Sequence, residues 1–490
     1  MMDKQKQKLK KRLIVVSNRL PIVITKEDDG WQIRPGSGGL ITALDPILKE
    51  NKSLWVGWPG AGEEAPVKEL LDKFGTEQGY KLVGVSLSKE DIERYYWGFA
   101  NGTLWPLLHD LLGYCKFDPE DWKTYVAVNK KFAAAITKLT QINDIIWIHD
   151  YQLSMVGSFL RKMRIQQPLA YFHHIPFPSL DLLRRLPWKL EYIKALLAFD
   201  LLGFQTLRDR RNFINTVTTL ITDTEVLSRQ RNYTLLKYEQ RIVQVRNVPI
   251  SIDFNQFNDA AQSQEVKDEA WYLHENLHER QLILGIDRLD YTKGIPERFL
   301  AFERALEKYP ELKDKISLLQ VVIPSRTLDP DYQSLKEQLD QMSGRINSRF
   351  SHAGWMPIHY VFRRLNKTQL LAHYRAAEIA LITPLRDGMN LVAKEYCASS
   401  VDNNGVLILS EFAGAADQLG EKALLVNPYD IEKTADTIYQ ALTMPSEERQ
   451  ERMQWLRNQV KRKDVHSWLR YFMKALDGVD LPHITRPPLS

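Results

Sequence analysis

Short apolar runs alternate with longer amphipathic stretches along almost the whole chain, and this rhythm limits the possible folds more than any other feature. Runs such as Leu13–Val16 and Ile145–Ile148 are apolar throughout and do not alternate with polar residues. Continuous apolar strands are typical of parallel sheets whose two faces are both covered by helices. The sequence therefore predicts an α/β protein built on doubly wound sheets.

The predicted strands fall into two groups, before and after residue 250. The first group is Leu13–Val16, Leu54–Gly57, Leu82–Val85, Ile145–Ile148, Ala170–His173 and Leu201–Phe204. The second group is Leu282–Ile286, Leu318–Ile323, Ile379–Thr383, Val406–Leu409 and Leu424–Val426. Predicted helical stretches include Leu40–Glu50, Ala127–Leu139, Trp188–Ala198, Gln262–His278 and Ser467–Leu476.

A proline-marked extended segment at 247–253 is predicted to join two domains. Residues 1–12 form a basic N-terminal tail, and residues 13–250 form a first Rossmann-type domain. Residues 251–465 form a second such domain, and residues 466–490 a C-terminal helix and tail able to pack back on the first. Because doubly wound sheets bind ligands at the carboxyl ends of their strands, a cleft between the two domains is the expected active site.

Composition excludes several classes of protein without naming a function. The 490 residues contain 66 Lys and Arg and 61 Asp and Glu, a net charge of +5 concentrated in the basic start, so no nucleic acid partner is expected. Cys115 and Cys397 cannot build a disulfide framework or a thiolate metal cluster. The apolar run at Leu13 is too short for a signal peptide and no run reaches a membrane span, so a cytoplasmic protein is expected.

Two candidate phosphate-binding features of the first domain lie near its first predicted strand. Arg19 comes just after the strand, where a guanidinium can hold a phosphate through two parallel hydrogen bonds. Gly38 and Gly39 belong to a glycine turn before a predicted helix, and the backbone N–H groups of a helix start favour phosphate. A surface arginine and an ordinary strand-to-helix turn are the alternatives.

An aromatic cluster at residues 95–105 contains Tyr96 and Trp105, interspersed with glycines and polar side chains. Sugar rings have apolar C–H faces and a rim of hydroxyls, so aromatic walls with polar partners suit a carbohydrate. The alternative is a plain aromatic core, which is the commoner role of such clusters.

Polar side chains also follow two later predicted strands of the first domain. Asp150 follows Ile145–Ile148, and His173 and His174 follow the strand that begins at Ala170. Adjacent histidines point to opposite sides of an extended chain, so they are poor joint ligands and no metal is assigned. A core histidine bonded to the backbone is the alternative for His173.

In the second domain, Arg288 and Lys293 follow a predicted strand and precede a glycine and a helical pattern. Two cations at such a place suit a diphosphate leaving group, whose negative charge grows as it departs. Arg326 adds a cation after the next strand. Surface salt bridging is the alternative for each arginine taken singly.

The most specific segment runs from a strand through a glycine turn into a helix at residues 384–395. Asp387 is expected at the strand end, and the amides of residues 390–392 can meet phosphate at the helix start. Glu395 lies within the helix, where a carboxylate could accept hydrogen bonds from a ribose diol.

At these residues the sequence is similar to the trehalose-6-phosphate synthases, a family of retaining UDP-glucose-dependent glucosyltransferases. The resemblance runs from Arg12 to about Leu476. The matching stretches are VVSNRLP at 15–21, SGGL at 37–40, YYWGFANGTLWPLLH at 95–109, HDY at 149–151, HIPFPS at 174–179, DRLDYTKGIPERFLAFE at 287–303, LRDGMNLVAKEY at 385–396 and LSEFAGAA at 409–416. Gln152 stands where many relatives carry His.

The resemblance implies two Rossmann-type domains in the GT-B arrangement and a role for each candidate residue. The implied contacts to glucose 6-phosphate are Arg19, Tyr96, Trp105, Asp150 and Arg326. Those to the nucleotide sugar are Gly38, Gly39, Arg288, Lys293, Asp387, Asn390, Leu391, Val392 and Glu395. The implied catalytic groups are Arg288, Lys293, Asp387 and His174.

The resemblance also implies transfer with retention, without a protein nucleophile, a metal or a cofactor. The departing phosphate oxygen would take the proton of the acceptor hydroxyl, with Arg288 and Lys293 stabilising that oxygen. UDP-glucose and glucose 6-phosphate are then substrates, and a homo-oligomer is possible on this basis.

Three alternatives to a trehalose-phosphate synthase remain at this stage. A related glucosyltransferase acting on glycerol 3-phosphate is disfavoured because the SNRLP and SGGL motifs and Ser325-Arg326 are kept. A glycosidase would use Asp387 and Glu395 as its carboxylate pair, which fits a helix-borne acid beside a phosphate-type turn poorly. A non-catalytic sugar-phosphate sensor is disfavoured because the groups expected at the leaving phosphate all remain.

Overall fold

The computed structural model describes residues 11–27, 30–36, 41, 44–45, 48–49, 53–61, 65–276, 280–327 and 329–477. The chain divides into two compact units. The first unit is Met1–Val248 together with Leu469–Ser490, and the second is Pro249–Trp468. Each is an α/β unit around a mainly parallel sheet, so the α/β class predicted from the sequence is confirmed.

The first unit is built on a nine-stranded sheet of order β5-β4-β1-β6-β7-β8-β11-β10-β9. Its strands are β1 Leu13–Arg19, β4 Leu54–Trp58, β5 Lys81–Gly84, β6 Ile145–His149, β7 Leu169–Phe172, β8 Leu201–Phe204, β9 Thr224–Arg229, β10 Tyr233–Tyr238 and β11 Arg241–Asn247. A separate hairpin pairs β2 Ile22–Glu27 with β3 Gly30–Pro35. The six strands from β1 to β8 in this sheet are parallel and wind outwards in both directions from β1.

The second unit is built on a six-stranded sheet of order β14-β13-β12-β15-β16-β17. Its strands are β12 Gln281–Arg288, β13 Ile316–Ile323, β14 Ile358–Phe362, β15 Ile379–Ile382, β16 Val406–Ser410 and β17 Leu424–Val426. All neighbours are parallel, and the chain again winds outwards in both directions from its first strand. Both sheets therefore have the Rossmann order 3-2-1-4-5-6, whose ligand site lies where the winding reverses.

The helices of the two units flank these sheets. Besides the helical positions between 41 and 49, those of the first unit include α1 Val67–Gln78, α2 Lys89–Asp91, a π-helix Ile92–Leu104, α3 Trp105–Leu108, α4 Pro119–Leu139, α5 Val156–Lys162, α6 Leu180–Leu183, α7 Lys189–Leu196 and α8 Leu207–Leu220. The second contains α9 Phe254–Ala260, α10 Gln264–Asn276, α11 Ile295–Lys308, α12 Pro330–Phe350, α13 Lys367–Ala376, α14 Leu391–Ser399, α15 Ala416–Leu419, α16 Ile431–Thr443 and α17 Ser446–Arg462. The last helix, α18 Val465–Asp477, begins in the second unit and continues into the first.

The N-terminus of α4 shows why some helices extend beyond their predicted limits. The amphipathic pattern predicts a helix from Ala127, whereas the helix begins at Pro119. Asp118 accepts a hydrogen bond from the N–H of Glu120 at 2.7 Å and so caps the helix, and proline suits the first helical position. The added turns are polar on most sides, so they show little hydrophobic periodicity.

The strands missed by the sequence lie at sheet edges or in hairpins. The accessible surface of β9 alternates strictly along the strand, and β10 is antiparallel to both β9 and β11. Such half-exposed strands carry weaker apolar signals than the buried parallel ones. Of the predicted helix 40–50, only positions 41, 44, 45, 48 and 49 lie within the described residues, and these are helical.

The C-terminal part of α18 contributes to the core of the first unit. The ring of Phe472 stacks on that of Trp147 at 4.3 Å between centroids, and also contacts Phe172. A Cβ on Gly203 would lie 2.8 Å from the Phe472 ring, so the close approach of strand β8 requires a glycine. Within the described part of the chain, no helix is long and apolar enough to span a bilayer.

Candidate active site

In the first unit, the winding reverses between β1 and β6, and Arg19 is the last residue of β1. Its guanidinium carbon lies 4.6 Å from the ring centroid of Trp58, the last residue of the neighbouring strand β4. The two residues are partners in the parallel register. The exposed cation therefore lies over the face of an indole ring, where a cation–π contact holds it at the strand end.

Trp58 is a site residue that the sequence analysis missed. Its position at the end of an apolar strand gives it the same pattern as a core residue. Its second contact is with Tyr96, whose ring lies 6.2 Å away. Only the pairing of β1 with β4 reveals that Trp58 links Arg19 to Tyr96.

Tyr96 lies in the 13-residue π-helix Ile92–Leu104, an unusually long example of a helix type that is concentrated at functional sites. Trp105 follows directly as the first residue of α3. The buried Tyr95 beside them donates a hydrogen bond to Asn18 at 2.8 Å, which ties the π-helix to β1. The ring of Trp105 lies 5.7 Å from that of Tyr151. The aromatic cluster thus serves both as core, through Tyr95, and as a wall next to the strand ends.

Asp150 directly follows β6 and has a positive φ of 75°, a backbone conformation that non-glycine residues rarely adopt. Its Oδ1 accepts hydrogen bonds from the N–H of Tyr151 at 3.0 Å and of His174 at 3.2 Å. Burial raises the pKa of this carboxyl to about 7, and the two N–H groups offset only part of that effect. Asp150 therefore fixes the backbone of His174 while retaining a carboxylate oxygen that can serve a ligand.

His173 and His174 have opposite environments, as expected for adjacent residues of an extended segment. His173 is fully buried, with its ring nitrogens 3.1 Å from the Tyr171 hydroxyl and 3.2 Å from the Pro176 carbonyl. It is a core histidine. His174 is partly accessible, and its Nε2 lies 3.0 Å from Nδ1 of His149.

In the second unit, the winding reverses between β12 and β15, and the buried Asp290 lies just after β12 at that edge. Asp290 accepts hydrogen bonds from the N–H and hydroxyl of Thr292 at 3.0 and 2.9 Å. Burial alone would raise the pKa of the Asp290 carboxyl. The charges of Arg326, Lys293 and Arg288 outweigh burial and hold that pKa below its usual value.

The side chains of Lys293 and Asp387 meet at the same edge. Lys293 Nζ lies 2.6 Å from Asp387 Oδ2, and Asn390 donates to the same oxygen at 3.2 Å. The pair joins the loop after β12 to the loop after β15, so two separate sequence motifs come together because these strands are neighbours in the sheet. Asp387 is partly accessible, which lets it interact with a ligand as well.

Helix α14 begins at this point. Asn390, with φ of 70°, caps the helix by accepting a hydrogen bond from the N–H of Ala393 at 3.1 Å. The amides of Leu391 and Val392 lie in the first turn, where N–H groups have no partner within the helix. Glu395 lies one turn further, where it accepts a hydrogen bond from the Tyr374 hydroxyl at 2.8 Å and burial raises its pKa.

Arg298 bonds residues on or next to three strands at this edge of the sheet, a role that was not predicted from the sequence. It is 1% exposed, and its guanidinium bonds Asp287 at 2.6 Å, Gln320 at 2.9 Å and Thr383 at 3.1 Å. These partners lie on β12, β13 and just after β15. A signal was present in the sequence, because Arg298 falls on the apolar face of α11 between Ile295 and Phe302.

Gly38 and Gly39 lie outside the described residues. No group of three or more His, Cys, Asp or Glu side chains suited to a metal ion occurs among the residues the structure describes. Burial raises the pKa of both Cys115 and Cys397 to about 12, so neither thiol is activated.

Two Rossmann-type units with polar groups at their strand ends are an arrangement that this chain shares with glycosyltransferases of the GT-B fold class. The sequence model of glycosyltransferase family 20 matches residues 11–478. The chain belongs to glycosyltransferase family 20.

Relatives across several organisms support this assignment. The chain is 40% identical over 471 residues to the UDP-forming α,α-trehalose-phosphate synthase A of Dictyostelium discoideum, covering 95% of this chain but 62% of that protein. It is 40% identical over 470 residues to a trehalose-6-phosphate synthase of Mycolicibacterium paratuberculosis, covering 94% of each. The chain thus spans less than two thirds of one relative and nearly the whole length of another.

Solved structures match equally well. The Burkholderia xenovorans α,α-trehalose-phosphate synthase in complex with glucose-6-phosphate superposes with a TM-score of 0.84 at 35% identity, covering 95% of this chain and 100% of that one. The Escherichia coli protein bound with UDP-2-fluoro glucose gives a TM-score of 0.85 at 35% identity, covering 96% and 99%.

Lys394, next to Glu395 on α14, gives a pH-dependent prediction. It is 1% exposed and donates to the Ile250 carbonyl at 2.7 Å and the Gln418 side chain at 2.6 Å. Burial, aided by Lys463, lowers the Lys394 pKa to about 7 from 10.5. Between these values the unfolded chain binds more protons at this site, so its contribution to the free energy of unfolding rises with pH from about 7 to 10.5.

We expect the variant Lys394→Met to lack this rise. The difference in unfolding free energy between wild type and variant, measured by urea titration, should move in favour of the wild type from pH 6.5 to 9.5. Lys433→Met, at an exposed site, is the matched control and should give a flat difference. A flat difference for Lys394→Met as well would show that this amine keeps its charge when buried.

Proposed function

We propose that the chain transfers glucose from UDP-glucose to glucose 6-phosphate with retention, giving α,α-trehalose 6-phosphate and UDP. The observation that carries the proposal is a set of strand-end groups in the second unit: Lys293 at 2.6 Å from Asp387, Arg288 at the end of β12, and the start of α14. Such a set suits an enzyme whose leaving group is a diphosphate and whose acceptor carries a phosphate. Relatives named for this reaction, and neighbours with glucose-6-phosphate or a UDP-glucose analogue, support the same substrates.

The donor is assigned mainly to the second unit. Arg288 and Lys293 would hold the diphosphate, and the first-turn amides of α14 would add neutral donors to it. Glu395 would accept hydrogen bonds from the ribose diol, and Asp387 would contact the transferred glucose. Gly38, Gly39 and Asn390 complete the proposed nucleotide-sugar contacts.

The acceptor is assigned mainly to the first unit. Arg19, backed by Trp58, would bind the phosphate of glucose 6-phosphate, and Arg326 is a further proposed contact to this acceptor. Tyr96 and Trp105 would cover the apolar face of the sugar. Asp150 would accept a hydrogen bond from a sugar hydroxyl.

In the proposed step, the bond between the glucose anomeric carbon and the diphosphate oxygen breaks. The attacking acceptor hydroxyl forms the new bond on the same face, and its proton passes to the departing phosphate oxygen. Arg288 and Lys293 stabilise the negative charge that grows on this oxygen. Asp387 and Asn390 keep the Lys293 ammonium in place, so it stabilises the charge without moving a proton.

This proposal includes no metal and no cofactor. Transfer to glycerol 3-phosphate and binding without turnover are the competing functions. The cytoplasmic location, the absence of nucleic acid and membrane partners, and a homo-oligomeric state stay predictions.

The test is a panel of donors and acceptors. UDP-, ADP- and GDP-glucose are each incubated with glucose 6-phosphate, with glycerol 3-phosphate or with no acceptor, with and without a chelator. We expect nucleotide release that needs glucose 6-phosphate and survives the chelator, with an α,α-linked product by NMR. Release only with glycerol 3-phosphate, or no release with any pair, would overturn the proposal, as would release of glucose from trehalose 6-phosphate without UDP.

A further inference from the structure

A buried histidine lies behind His174 at the end of β6. His149 is 1% exposed, and its Nδ1 lies 3.0 Å from Nε2 of His174. The rings of Trp147 and Phe172 lie 4.6 and 6.5 Å from the His149 ring. The other nitrogen of His149, Nε2, is buried and has no hydrogen-bond partner in the described part of the chain.

The two imidazoles share this contact as neutral groups. Burial lowers the pKa of His149 well below its usual value, and the neighbouring His174 lowers it further. Burial and the adjacent His173 lower the pKa of His174 to about 3. Because a neutral imidazole carries one N–H, the 3.0 Å contact needs a donor on one ring and a lone pair on the other.

The buried Nε2 of His149 distinguishes between the two tautomers of this residue, which carry the ring proton on Nε2 or on Nδ1. If the proton of His149 were on Nε2, a buried N–H would have no acceptor. If the proton is on Nδ1, the buried nitrogen has only an unused lone pair. Orphaned buried donors are rarer in proteins than unsatisfied acceptors, so the second arrangement is favoured.

We propose that His149 is a positioning residue that fixes the tautomer of His174: Nδ1–H of His149 donates to Nε2 of His174, so the proton of His174 is on Nδ1. His174 then offers an N–H donor to a hydroxyl oxygen of the bound sugar. This inference rests on the proposed function, in which His174 contacts the transferred glucose.

Two hydrogen bonds fix the backbone of His174, so only the protonation pattern of its ring remains to be set. Its N–H donates to Asp150 and its carbonyl accepts a hydrogen bond from Gln205 at 3.2 Å. No described residue bonds Nδ1 of His174, on a side chain that is partly accessible. A change of tautomer would therefore exchange a donor for an acceptor at the accessible nitrogen without moving the backbone.

Three substitutions of similar size at His149 separate the chemistry from the packing. Asparagine can donate to Nε2 of His174 from the position of Nδ1, leucine can neither donate nor accept, and an ionised aspartate can only accept. We expect His149→Asn to keep at least a third of the wild-type kcat. We expect His149→Leu and His149→Asp to lose at least tenfold in kcat, with KM for UDP-glucose within threefold of the wild type. Equal kcat values for the asparagine and leucine variants would overturn the proposal.

The tautomer itself is read in the substrate-free wild type by NMR of protein labelled with ¹⁵N at histidine. His174→Asn identifies the His174 resonances. We expect a protonated Nδ1 and an unprotonated Nε2 on His174, and the opposite pattern would overturn the proposal even if the variants behaved as expected. This measurement needs no turnover, so a failure of the proposed reaction in the substrate panel is distinguished from a failure of the tautomer assignment.

Discussion

Replacing Arg288 with alanine should lower kcat by about 10²–10³-fold, the usual effect of removing one group that stabilises the charge of a transition state. Arg288 is the last residue of β12, and its side chain is exposed, so the change removes a cation without opening the core. Because the residue is assigned to the departing diphosphate, the dissociation constant for glucose 6-phosphate should stay within threefold of the wild type.

Rates of UDP release and glucose 6-phosphate binding by calorimetry provide the two measurements. Arg364→Ala removes another exposed arginine of the second unit and serves as the control, with kcat unchanged. If Arg288→Ala weakened glucose 6-phosphate binding as much as it lowered kcat, the residue would belong to the acceptor phosphate and the donor assignment would be wrong.

Replacing Arg298 with leucine should lower the free energy of unfolding by about 3–5 kcal/mol, as removal of one partner of a buried ion pair usually does. The change leaves the Asp287 carboxylate buried without its 2.6 Å partner. Burial already raises the pKa of Asp287, with Arg298 opposing it. Without Arg298 that pKa should rise further, so the loss should be larger at pH 7 than at pH 4, where protonation of Asp287 removes the charge.

The double variant Arg298→Leu with Asp287→Asn is the matched control, because it removes the stranded charge along with its partner. Urea unfolding should show that the second change recovers part of the stability at pH 7. If the double variant were as unstable as Arg298→Leu at both pH values, lost packing rather than an unpaired charge would explain the effect.

The buried parallel strands could be predicted because each is apolar on both faces, whatever its neighbours are. The predicted strands that correspond to β1, β6, β12 and β15 are all present. Several candidate residues lie at or just after the ends of these strands. The contact between Lys293 and Asp387 follows from this winding, since the ends of β12 and β15 are adjacent in a sheet of this order.

Other parts of the site depend on contacts that no local pattern contains. Trp58 becomes a support for Arg19 only through the register of β1 with β4. The π-helix has the composition of an ordinary amphipathic helix, and its widened turns are fixed by tertiary contacts such as that of Tyr95 with Asn18. The sealed nitrogen of His149 is visible only once its surroundings are known.

The return of α18 to the first unit has a consequence for synthesis on the ribosome. Trp147 is covered by Phe472, which is made after the whole of the second unit. At about 5–20 residues per second, the second unit, Pro249–Trp468, takes on the order of ten to forty seconds to translate. During that time the ring of Trp147 lacks the Phe472 ring that covers it in the folded first unit, so the core of that unit is completed only when α18 emerges.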